Sequence, residues 1–193
     1  MARSKAFDEN EVLDKAVNLF WSKGYNGTSA QDLVDSLGLS RSSLYDTFSD
    51  KRTLFIKALQ HYRTKMGGAA LQMIKQSDNP AQTIKELFKM VINDSCNPEI
   101  PKGCFIINSM VELAPSDPEV AAIVNGNAQD MEDAFYQAVK KGQESGQFST
   151  KSNPRAVARL LFNTLSGMRV AARSGMDKKS LDDIVKSQLT LLS

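Results

Sequence analysis

The chain reads as an all-α protein in which an amino-terminal three-helix unit carries a helix-turn-helix and a larger helical bundle follows. Three observations predict this. Apolar residues recur at three- and four-residue spacing along nearly the whole length, and no stretch alternates with the period of two expected of a half-buried strand. The prolines (Pro80, Pro98, Pro101, Pro115, Pro118, Pro154) fall between the periodic runs, where they open or stop helices. Residues 28–55 set two short amphipathic segments on either side of a single glycine, Gly38.

The first helix is predicted to start near Asp8, where Asp8, Glu9 and Glu11 complement its positive end. Val12, Leu13, Ala16, Val17 and Phe20 form its apolar face, and Trp21 closes the run. Thr28 or Ser29 caps the second helix, whose Leu33, Val34 and Leu37 share a face. Gly38 follows, able to take the left-handed conformation that ends a helix. Ser40 caps the third, which turns Leu44 and Phe48 inward as an i, i+4 pair and leaves Arg41, Ser42, Ser43, Tyr45, Asp46 and Thr47 outside. A short helix with an apolar pair behind and Arg, Ser and Tyr in front is what a major-groove reader needs.

Ser49-Asp50 caps a fourth helix, about residues 50–78, carrying Leu54, Phe55, Ala58, Leu59, Tyr62 and Met66. Gly67-Gly68 weakens it, but the spacing resumes through Leu71 and Ile74 up to Asp78-Asn79-Pro80. The fifth helix is marked by Ile84, Leu87, Phe88, Val91 and Ile92. After the loop 97–103, Cys104 to Ala114 is apolar on nearly all sides, as in a central bundle helix. Ser116-Asp117-Pro118-Glu119 opens a long helix with Val120, Val124, Met131, Phe135 and Val139, ended by Gly142 and Gly146. Asn153-Pro154 opens the next, with Val157, Leu160, Leu161, Thr164, Leu165 and Met168 on one stripe. Asp177 opens the last, with Leu181, Ile184, Val185, Gln188, Leu189 and Leu192.

A chain of 193 residues, 41% hydrophobic and 24% charged, can bury a core of ordinary size. The net charge of +2 neither supports nor opposes a nucleic-acid partner, so placement decides: Arg3, Lys5, Arg41, Lys51 and Arg52 are predicted within reach of phosphates. No signal-peptide core or membrane-length apolar run occurs, and the two cysteines, Cys96 and Cys104, make neither a disulfide framework nor a zinc site. A cytoplasmic protein without metal or cofactor is expected. His61 is the only histidine, and no glycine-rich nucleophile turn or phosphate-cradling loop is present, which argues against an enzyme. A helical adaptor that kept the fold without DNA binding is the other class, favoured only by Asp46.

The pattern resembles the TetR family of bacterial transcriptional regulators. The matching residues run from Glu11 to Phe20, Gly24-Tyr25, Thr28-Ser29, Asp32-Leu33, Leu37 to Ser40, Leu44-Tyr45, Phe48, and Lys51 through Leu54-Phe55. Val34 departs from the family's usual Ala, and Asp46 from an aromatic or basic residue. The resemblance implies a DNA-binding domain over residues 1–50 and an effector-binding and dimerisation domain over 51–193. It implies that Thr28 and Ser29 contact the DNA backbone. Arg41, Ser42 and Ser43 are the candidates for base edges, and Tyr45, Thr47 and Lys51 complete the expected DNA-facing set.

The resemblance further implies an effector pocket among the bundle helices. The candidates for its lining are Tyr62, Met66, Phe88, Met90, Cys104, Phe105, Met110, Met131 and Phe135, with Asn108 as polar anchor; otherwise such residues are core. Cys104 reads either as a reactive thiol at a helix start beside Lys102 or as a small buried hydrophobe. The stripes of the last two helices are too apolar to leave in water. Val157, Leu161, Leu165, Met168, Leu181, Ile184, Val185 and Leu189 are therefore expected at a two-fold homodimer interface. The function expected is a repressor that a small molecule releases from a palindromic operator, with a tilt of the fourth helix as the moving part.

Overall fold

The computed structural model describes residues 7–100, 103–190 and 192, and all its regular elements are helices. Arg3, Lys5, Pro101 and Lys102 lie outside the described residues. Capping sets most of the boundaries. Asp8 accepts a hydrogen bond from Asn10 N–H at 2.8 Å and starts α1 (Glu9–Lys23). A capping box starts α2 (Ala30–Leu37): Ser29 Oγ accepts from Asp32 N–H at 3.1 Å, and the Asp32 carboxylate accepts from Ser29 N–H at 2.8 Å. Gly38, at φ +67°, ends α2 in the left-handed conformation. Ser40 caps α3 (Arg41–Phe48), and Asp50 caps α4 (Lys51–Tyr62), accepting from Thr53 N–H at 2.7 Å.

The long fourth helix is continuous in path but not in hydrogen bonding. A π-helical stretch, Arg63–Gly67, separates α4 from α5 (Gly68–Lys75), and the rod stops three residues short of the expected Asp78. Such π stretches interrupt α-helices most often at functional sites. Next come α6 (Pro80–Cys96), α7 (Phe105–Glu112), α8 (Pro118–Glu144), α9 (Pro154–Arg173) and α10 (Lys178–Thr190). Asn79, Asp117 and Asn153 cap α6, α8 and α9, each with proline in the first turn. Leu192 lies in the turn after α10 and is buried.

Two hydrophobic cores hold these helices. The first joins α1–α4 to α7 and the start of α8, through Phe20, Leu33, Leu44, Phe48, Phe55, Phe105 and Val124. An aromatic chain knits it: Phe20, Tyr25, Phe105 and Tyr62 surround or extend from Phe55, with centroid distances of 5.0 Å for Tyr25–Phe55 and 5.4 Å for Phe55–Phe105. The second core joins α5, α6, α9, α10 and the later turns of α8.

The second core corrects the expected dimer interface. Leu161, Leu165, Met168, Leu181 and Val185 are buried among the chain's own helices, packed with Phe88 and Phe135, so they have no face left for a partner. Val157, Ile184 and Leu189 are half-buried against the same core. What α9 leaves outside is a different stripe, Ala156, Leu160, Asn163, Gly167 and Val170, with Leu160 and Val170 45% and 46% exposed. The α7 segment is also less enclosed than its composition suggests, since Val111 is exposed.

Candidate nucleic-acid interface and ligand cavity

The second helix of the helix-turn-helix, α3, is held from behind by Leu44 and Phe48, both 1% exposed. Its front carries Arg41, exposed and in no ion pair among the described residues, beside Ser42, Ser43, Tyr45 and Thr47. Ser42 and Ser43 are engaged locally: Ser40 Oγ lies 3.0 Å from Ser42 Oγ and 2.9 Å from Ser43 Oγ. Tyr45 is half-buried against the core with its side chain at the rim of the helix.

Three basic or polar residues stand otherwise than expected. Thr28 is 1% exposed and donates its hydroxyl to Gly24 O at 2.6 Å, so its side chain fastens the turn before α2 and cannot reach a phosphate. Ser29 at the surface remains as the cap. Lys51 folds back, donating to Thr28 O and lying 4.4 Å from the centroid of the Tyr25 ring. Burial there pulls its pKa below the ordinary lysine value. Arg52 is committed to the body: its Nε and Nη2 donate to Asp117 at 2.8 and 2.9 Å, and Nη2 donates to Glu119 at 2.9 Å. The guanidinium holds Asp117 down to about 2.

A second tie runs from α7 to the turn after α1. The Glu112 carboxylate accepts from Tyr25 N–H at 3.1 Å and from Asn26 N–H at 2.8 Å. His61 Nε2 sits 2.9 Å from Asp14, whose carboxylate also accepts from Lys65 at 2.8 Å, so the one histidine pins α4 to α1. The Lys65 ammonium keeps Asp14 below its usual range.

The body holds a cavity of about 340 Å³, at the low end of the range for small-molecule sites. Of the residues expected there, Tyr62, Met66, Met90, Cys104, Met110 and Met131 line it. Phe88, Phe105 and Phe135 do not; each is at most 1% exposed inside a core, where a large ring packs best. Asn108 is also corrected: it is outside the lining, with Oδ1 against Gly103 and Nδ2 buried without a partner. Sequence reasoning missed Trp21, Asn18, Met73, Phe162 and Arg169. The spacing had assigned Trp21 to the core, and nothing in a periodic run distinguishes a side chain facing a void from one facing a neighbour. Tyr62 OH lies 3.6 Å from Cys104 Sγ, and burial raises the Tyr62 pKa, with its neighbour Cys104 adding to the rise.

A capped three-helix head with a polar helix on its outer face, joined to a helical body, defines a helix-turn-helix transcriptional regulator. Residues 12–58 match the family described as bacterial regulatory proteins, tetR family, and residues 80–187 match the tetracyclin repressor-like C-terminal domain. The HTH-type transcriptional regulator YezE of Bacillus subtilis (strain 168) is 34% identical over 193 residues, the whole of both chains. The HTH-type transcriptional repressor ComR of Escherichia coli (strain K12) is 28% identical over 98% of this chain and 90% of its own. Among solved structures, a cysteine mutant of the TetR family regulator CifR complexed with 26-bp double-strand operator DNA superposes with a TM-score of 0.87 at 23% identity, covering 99% of this chain and all of that one. The chain belongs to the TetR family of bacterial transcriptional regulators. No helix among the described residues is long and apolar enough to cross a membrane.

Proposed function

We propose that the chain is a cytoplasmic, homodimeric repressor that binds a palindromic operator through α3 and leaves it when a small molecule fills the body cavity. The observation that carries this is the outward placement of Arg41 on a helix whose Leu44 and Phe48 are buried behind it. Residues 1–50 serve as the reading domain and residues 51–193 as the effector and dimerisation domain. Ser29, Arg41, Ser42, Ser43, Tyr45 and Thr47 form the DNA face. Lys51 joins them if a phosphate draws it away from Tyr25.

The partner is a second copy seated on the exposed stripe of α9. Gly167 sits in open space on that stripe, and Leu160 and Val170 flank it as the apolar anchors. Ile184 extends it on α10. Two-fold pairing there closes the assembly and puts two heads on half-sites about 34–36 Å apart.

Selection of bound fragments from random DNA, with sedimentation in parallel, tests the proposal. A palindromic motif bound by a dimer is expected, and Leu160→Glu with Val170→Glu should give a folded monomer with weak operator binding. No sequence enrichment would overturn the DNA reading, and a folded dimeric double variant would overturn the interface.

A further inference from the structure

We propose that the cavity takes an uncharged, mostly apolar molecule bearing a carbonyl-type hydrogen-bond acceptor, and that Trp21 of the head's own first helix reads that acceptor. This rests on the ligand-responsive reading above and adds the ligand's class and the residue that senses it.

The lining crosses from the body into the head. Asn18 and Trp21 of α1 stand in the same wall as residues from α4 to α9. Trp21 is 6% exposed, and its Nε1 is buried with no hydrogen-bond partner. An indole nitrogen can only donate, so nothing but an acceptor satisfies it. Its aromatic neighbour Tyr62, edge-on at 5.1 Å, has its hydroxyl beside Cys104.

The charges of the lining restrict the ligand further. Among the described residues of the lining, Asp94 and Glu99 are the acids and Arg169 is the cation. That guanidinium is paired with Asp94 at 3.7 Å and donates to Gly103 O at 3.3 Å. A carboxylate or phosphate entering here would meet, among the described residues, two acids against one cation already paired with an acid, which opposes its desolvation. The remaining wall is largely apolar and includes five methionines, Met66, Met73, Met90, Met110 and Met131, which adapt to irregular apolar shapes.

Because Nε1 is buried, an acceptor in the cavity reaches it only in a state where the indole turns toward the cavity. A ligand with such an acceptor therefore binds that state better, which is the differential affinity a population shift requires. The Trp21 carbonyl accepts from Arg173 of α9 at 3.2 Å, and Lys23 two residues on is ion-paired to Asp32 of α2. Motion at Trp21 is thus applied to the helix on which the reading head is built.

The chain has one tryptophan, so ¹⁵N-indole labelling of the full-length protein gives a single indole N–H resonance. The probes are acetophenone, ethylbenzene and benzoate, with ¹³C-methyl methionine signals reporting occupancy. Acetophenone should move the indole resonance downfield and saturably. Ethylbenzene should bind about threefold to tenfold more weakly, the net worth of one hydrogen bond, without the downfield shift. Benzoate should not compete. Trp21→Phe should erase the preference for ketone over hydrocarbon, whereas a merely structural role would weaken both equally. An unmoved indole resonance at saturating acetophenone, no acetophenone binding at all, or benzoate binding as tightly overturns the inference. Operator binding without probe is measured separately, so its failure sinks the regulator reading alone.

Discussion

Replacing Glu112 by alanine removes a side chain of α7 that holds the turn after α1. Two backbone donors lose their acceptor, Tyr25 N–H and Asn26 N–H, from positions 87 and 86 residues away in sequence. Hydrogen bonds to a charged group contribute about 1.5–3 kcal/mol each when dry. Here Asn26 is exposed and Glu112 half-buried, so about 1 kcal/mol each is reasonable, or about 2 kcal/mol for the pair. For a chain of this size that lowers Tm by about 4–8 °C. The same loss, read locally, speeds amide exchange at Tyr25 and Asn26 by about thirtyfold. Glu112→Gln keeps one carbonyl oxygen and should protect one of the two amides. Hydrogen exchange resolved at residues 24–28, beside a thermal melt, measures both effects. Unchanged exchange at both amides in Glu112→Ala, with Tm lowered by less than about 1 °C, would refute the clamp.

Other perturbations probe separate parts of the molecule. A Cβ on Gly142 would meet Phe148 Cδ2 at 2.2 Å, so Gly142→Ala should destabilise by about 1–2 kcal/mol in denaturant melts, although the same change in an open helix stabilises. Asp117 is held at about 2 by Arg52 and by backbone N–H groups, against an ordinary 3.8. A depressed carboxylate stabilises above its unfolded value and stops doing so as pH falls through the folded one. Wild type should therefore exceed Asp117→Asn in stability at pH 5, with the gap closing toward pH 2. Arg41→Ala should relax base preference at one position per half-site by about 1–3 kcal/mol, and Tyr45→Phe should weaken all sequences alike; binding selections separate the two. A maleimide should label exposed Cys96 faster than half-buried Cys104, and modification at Cys104 should lower operator affinity while Cys104→Ser resists it.

The head was legible because its signals are local. Ser29, Gly38, Ser40 and Asp50 each act within a few residues of themselves, and an N-cap or a left-handed glycine has the same chemistry in any fold. The period of the helices was legible for the same reason. What the period cannot carry is which of several apolar partners a stripe meets. Leu161 and Leu165 look identical to interface residues in sequence, and only the positions of α6 and α8 decide that they face inward. Met66, Met110 and Phe88 all read alike as lining candidates, yet the structure puts the methionines at the cavity and Phe88 in the core: an unbranched thioether fits the edge of a void, whereas a rigid ring fits a filled layer. The polar contacts were the least legible, because a polar side chain has several ways to be satisfied. Thr28 found a carbonyl, Lys51 a ring and a carbonyl, and Arg52 two carboxylates, each supplied by a residue whose proximity depends on the tertiary fold.

The ties between head and body bear on what could move. A tilting fourth helix was the expectation, and the π stretch at Arg63–Gly67 gives that rod a weak point beside the cavity, since Met66 and Gly67 line it. Yet the head is not carried by that rod alone. α7 lines the cavity with Ile106, Ile107 and Met110 and ends on Glu112, which grips the turn after α1. The start of α8 grips Arg52 through Asp117 and Glu119. The first core itself spans head and body, through Phe105, Val120 and Val124. A head fixed at several places shifts only when the fixings move together, and residues of α1, α4, α7 and α8 all border the cavity. A ligand there would touch α1, α7 and α8 as well as α4, whereas a lever through one helix would touch α4 alone.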